Sequence, residues 1–73
     1  MKCYITFGQI HTHRVNGKTF DCDCVGVLHG EDVAACHARA MEIFDAKFHQ
    51  CIPEERWKPQ DDNWYPRGHI EVE

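Results

Sequence analysis

Two pairs of metal-binding side chains flank a turn signal. His11-Thr12-His13 precedes Asn16-Gly17, and Cys22-Asp23-Cys24 follows it. Residues two apart on an extended strand share a face, so each pair presents both donors to one side. Zinc accepts imidazole and thiolate donors at about 2.0–2.3 Å. The pattern points to a structural zinc ion held by His11, His13, Cys22 and Cys24.

The hairpin register decides whether four donors meet. A two-residue Asn16-Gly17 turn sets His11 opposite Cys22, His13 opposite Phe20, and Cys24 opposite Gln9. His13 and Cys24 are then roughly 13 Å apart along the strands. A two-residue shift, or a bulge near Gly26, would oppose His13 with Cys22 and His11 with Cys24, which makes a compact site. Val25 and Val27 support a bulge, because they fall on the opposite parity from Ile5, Phe7 and Leu28. Either the register moves or one of the four is not a ligand. The substitutes are Cys51 and His49, a same-face pair carried towards the hairpin tip by a later strand. Cys3 and Cys36 lie at the far end and read as small core hydrophobes.

The elements that position these residues follow from the pattern. Residues 3–13 alternate β-branched and aromatic types, and about 19–28 form the return strand, giving an N-terminal β-hairpin over 3–28. Glu31-Asp32 opens a helix over 31–47, with Val33, Cys36, Ala40, Ile43, Phe44 and Lys47 as its stripe. A short strand over 48–52 comes next, then a polar loop over 53–66 that holds all three prolines, Trp57 and Trp64. Residues 69–73 alternate and end the chain as a strand. The expectation is one α+β domain, ββαββ, with a mostly antiparallel sheet and the helix on one face.

Bulk properties narrow the class. A chain of 73 residues buries only roughly 60% of its unfolded surface, so a staple is expected. Five Cys and six His supply material for one. The odd Cys count and the lack of an apolar stretch after Met1 imply reduced thiols in a cytoplasm. No segment is apolar enough to span a membrane. Charge is −4, which disfavours direct nucleic-acid binding and permits a basic protein partner.

Asp21, Asp23, Glu54, Glu55, Asp61 and Asp62 read either as solvated acids or as an acidic binding face. Trp57, Trp64 and Tyr65 read either as core caps or as that face's anchors. No phosphate loop, nucleophile elbow or H-E-x-x-H occurs, and the deaminase zinc signature is missing. Cys36 and His37 are adjacent on the helix and diverge by about 100°, so they cannot pair as nucleophile and base. No catalytic residue is expected.

Tyr4-Ile5-Thr6-Phe7-Gly8-Gln9, with His11, His13, Asn16-Gly17-Lys18, Phe20-Asp21, Asp23, Trp64-Tyr65-Pro66-Arg67-Gly68 and Ile70-Glu71-Val72, resembles short phage-encoded proteins. These share a "TFG" strand, an Ala-rich helix and a terminal "YPRG" strand. Cys22, Cys24 and Cys51 depart from that pattern, which makes metal binding a property of this branch. The resemblance implies an anti-CRISPR or other anti-defence inhibitor, in the cytoplasm of a bacterial host. Its implied partner is a host RNA-guided nuclease effector, met through the acidic surface so that nucleic-acid loading or activation is blocked. Two alternatives stand beside it. One is a zinc-stapled nucleic-acid module using Arg56, Lys58 and Arg67. The other is a host-takeover protein with another partner.

Overall fold

Asn16 and Gly17 both adopt positive φ, 52° and 76°, as a type I′ turn demands. They join β2 (His13–Val15) to β3 (Lys18–Phe20), with His13 opposite Phe20. The computed structural model describes every residue from 1 to 73. Beyond this tip the arms do not run straight on. β1 (Lys2–Thr6) and β4 (Cys24–His29) pair antiparallel with Ile5 opposite Gly26, where the tip register would set Ile5 opposite Leu28. The register therefore moves by two residues between tip and base. The move differs from the one expected: it leaves His13 on Phe20 and displaces residues 7–12 into a loop through Gly8, φ 67°.

Helix α1 spans Val33–Phe44, shorter than 31–47. Asp32 is its N-cap and not a first-turn acid, accepting a hydrogen bond from the Ala35 amide at 2.8 Å. Asp45 and Ala46, with φ 54° and 62°, turn the chain off the helix before Lys47. The predicted stripe holds: Cys36, Ala40 and Phe44 are buried, and Val33 and Ile43 half-buried. β5 is Gln50–Pro53, later than 48–52, and β6 is Gly68–Glu71.

The main sheet has the order β5-β1-β4-β6, with β4–β6 its one parallel pair. The fold is α+β with one main helix and a mixed, mostly antiparallel sheet. The ββαββ reading counts four strands, but the chain has six because its hairpin divides into two pairs.

β5 and β6 lie at opposite edges of this sheet and run in the same direction. The segment between them must cross both central strands, which explains its length. It carries two short 3-10 turns, Glu54–Arg56 and Pro59–Trp64. Helix α1 covers one face of the sheet, packing Ala40 and Phe44 on Ile5, Phe7, Phe20, Cys24, Leu28 and Val72. The crossing segment covers the other, packing Trp57 and Tyr65 on Tyr4, Val25 and Val27.

The parity of Val25 and Val27 thus needs no bulge. Both sheet faces are dry, so both parities of β4 are apolar. Gly26 faces the helix side, where a Cβ would lie 3.1 Å from Val72 Cγ2 and 3.3 Å from Phe7 Cζ. Its missing side chain makes room for the Phe7 ring. Phe44 centres the helix-side layer, with ring centroids 5.0 Å from Phe7 and 5.8 Å from Phe20. Phe44→Ala is expected to lower unfolding stability by about 3–5 kcal/mol, read from urea melts by circular dichroism. An unchanged midpoint would show that this layer does not hold the fold.

Candidate functional site

The four expected zinc ligands are not brought to one point. No group of three or more His, Cys, Asp or Glu side chains is arranged to hold a metal ion. His13 packs between Phe7 and Phe44, and its Nε2–H donates to the Lys47 carbonyl at 2.6 Å. That bond commits Nε2 as a donor and leaves Nδ1 as the ring's one nitrogen able to meet a metal. Cys24 is fully buried, its thiol 3.8 Å from the Thr19 and Asp21 carbonyls. Burial pushes the Cys24 thiol up; burial and then the Asp23 carboxylate do the same to Cys22.

His11 rides on the displaced 7–12 loop and is not strand-paired with Cys22. The substitutes also part company. His49 is exposed beside Gly8, while Cys51 turns inward to the thiols of Cys3 and Cys36. The compact Cys2His2 arrangement expected from the i, i+2 pairs is not formed here, where the register shift falls between the members of each pair.

The crossing segment is the better-organised surface. Trp57 is half-buried, its ring 5.0 Å from Tyr4 and 5.8 Å from both Tyr65 and His69. Its indole N–H donates to Asp62 Oδ1 at 2.9 Å, and His69 Nε2 meets the same oxygen at 2.8 Å. Asp62 thereby pins the second 3-10 turn to β6. Asp61 closes the start of that turn, accepting the Lys58 amide at 3.2 Å. Pro59 stands at its first position, where a fixed φ suits the turn.

Trp64 ends the turn at 76% exposed, in contrast to Trp57. The two tryptophans therefore divide the two readings: one caps the sheet and the other faces water. His69 was not singled out in the sequence, where no fixed spacing marks it as Asp62's partner.

Most of the acids have internal work. Asp21 accepts Arg67 at 2.9 Å and the Asp23 amide at 3.0 Å, tying the hairpin to the start of β6. Arg67 also donates to the Thr19 carbonyl at 2.6 Å. Glu54 meets Lys2 at 3.6 Å and the Tyr4 hydroxyl at 3.3 Å. Asp23 and Glu55 are exposed and take no part in these bridges. The acidic face is thus narrower than the count of carboxylates suggests. No helix is long and apolar enough to cross a membrane. Comparison with protein-family models, curated proteins and solved structures gives no match.

Two outcomes test this geometry. The Trp57 N–H and then His69 hold the Asp62 carboxyl below its ordinary range. A depressed native value contributes stability above the unfolded pKa, and that stability is lost as pH falls through the native value. The stability difference between wild type and Asp62→Asn is therefore expected to be full above about pH 4 and to shrink in stronger acid. Urea melts followed by tryptophan fluorescence read it; a pH-independent difference would remove the latch. His13→Ala should cost about 1–2 kcal/mol through the lost carbonyl bond and ring packing, equally with and without added zinc. A cost that appears only when zinc is present would restore the metal site.

Proposed function

We propose that this chain is a non-catalytic protein-binding inhibitor of the phage anti-defence type. It docks on a basic surface of a host RNA-guided nuclease effector and blocks nucleic-acid loading or activation. The observation that carries the binding reading is Trp64, 76% exposed on a turn fixed by Pro59, Asp61 and Asp62. A side chain carried on an already ordered turn spares the cost of ordering the backbone on contact, which favours Trp64 as an anchor. Glu55 and the net charge of −4 favour a basic counterpart. The partner class comes from the resemblance to phage-encoded proteins. The proposal needs no zinc ion at the hairpin.

Co-purification with a panel of RNA-guided effector complexes tests the partner, and plaque counts on immune and non-immune hosts test the outcome. Trp64→Ala is expected to weaken the complex by about 2 kcal/mol, roughly 30-fold, and leave the urea midpoint unchanged. Trp57→Ala should instead destabilise the fold. Full affinity in Trp64→Ala would remove the anchor. A steeply salt-dependent affinity for single-stranded nucleic acid would transfer the function to Arg56 and Lys58.

A further inference from the structure

Three of the five cysteines form a group that the proposed binding surface does not use. Cys3 on β1 and Cys36 on α1 are fully buried, and Cys51 on β5 is half-buried. Cys3 lies opposite Pro53 and Ile5 opposite Cys51, so Cys3 and Cys51 are diagonal neighbours on one face of the sheet. Cys36 descends onto the same face because Gly30 has no side chain. A Cβ there would lie 3.1 Å from both the Cys36 amide nitrogen and its Sγ. The Cys36 thiol ends 3.9 Å from the Met1 carbonyl, two residues before Cys3. Cys3 therefore has both other thiols as neighbours, Cys51 across the strand pair and Cys36 from the helix above.

The geometry points to an internal disulfide site in this group, closed by a disulfide oxidant such as oxidised glutathione, with Cys51 as the thiol that meets it. The Cys51 thiolate attacks one glutathione sulfur, forming a mixed disulfide and releasing one glutathione. Cys3 then attacks the Cys51 sulfur and releases the second. Diagonal strand neighbours sit about 7–8 Å apart at Cα, beyond the comfortable disulfide range, so the Cys3–Cys51 bond is strained. Cys36 attacks Cys3 and returns Cys51 as a thiol. Two protein thiols become one disulfide, and one oxidised glutathione becomes two reduced ones. The bond ties β1 to α1, a staple of the kind so short a chain otherwise lacks.

Burial, with the neighbouring Cys36 and Cys51, pushes the Cys3 thiol up to about 12, and burial pushes Cys51 up. The thiolate is the nucleophile, so closure is slow at neutral pH and quickens about tenfold per pH unit in mild alkali. Folded protein incubated with oxidised glutathione, then quenched with acid, tests this by intact mass and peptide mapping. The expected result is loss of two of the five free thiols, a Cys3–Cys36 link, and a higher thermal midpoint. Cys36→Ala should stop at Cys3–Cys51, and Cys51→Ser should close many-fold more slowly. Both variants keep Cys3, so neither removes the central core thiol. Mixed disulfides alone, a link through Cys22 or Cys24, or no change would each overturn the proposal.

Discussion

The structure depends on burying both faces of one antiparallel pair. β1 and β4 sit at the centre of the sheet, and both faces are closed to water from Cys3 to Thr6 and from Cys24 to Leu28. A chain of 73 residues has little material with which to cover two faces. It uses one helix for the first and an irregular crossing segment for the second. The helix contributes through Phe44, edge-on to Phe7 at 5.0 Å; the segment contributes through Trp57, 5.0 Å from Tyr4. Each aromatic replaces several aliphatic side chains, which suits a short chain.

The remaining features answer to that demand. The crossing segment can lie flat only if its own polar groups are satisfied. Asp62 does this for the Trp57 indole, and Asp61 does it for the Lys58 amide. The displaced 7–12 loop lets Phe7 enter the helix-side core, while Gly26 leaves the space that its ring fills. The outer side of β6 is met by side chains of the hairpin and not by another strand. Lys18 donates to the Glu71 carbonyl at 2.6 Å and Asn16 to the Val72 carbonyl at 3.1 Å. An exposed edge that would otherwise recruit other strands is blunted by these two donors.

Local signals in the sequence carried over well. Asn16-Gly17 specified its turn, and the stripe through Cys36, Ala40 and Phe44 specified the buried side of the helix. Both depend on neighbours a few residues apart. The register shift did not carry over, because it balances the hairpin tip against packing by Phe7 and Phe44 from distant segments. Val25 and Val27 hinted that something was unusual, yet parity alone cannot separate a bulge from a second buried face. Only Trp57 and Tyr65, some thirty residues or more downstream, resolve it. The histidine and cysteine pairs depend on the same point: i, i+2 spacing predicts a shared face only while the strand stays straight.

Acid counts mislead in a related way. Net charge is unchanged whether a carboxylate faces water or closes a bridge, so −4 says nothing about which acids a partner would meet. Asp21 belongs to Arg67, Glu54 to Lys2 and Tyr4, and Asp62 to Trp57 and His69. Exposed bridges of this kind contribute little individually. Their role here is to set where the crossing segment lies, and through Asp62 to set how Trp64 is presented. The Asp62 side chain thus helps to fix the turn on which Trp64 stands two residues on. In this chain the paired carboxylates chiefly fix the backbone of the crossing segment, and Glu55 is exposed outside those bridges.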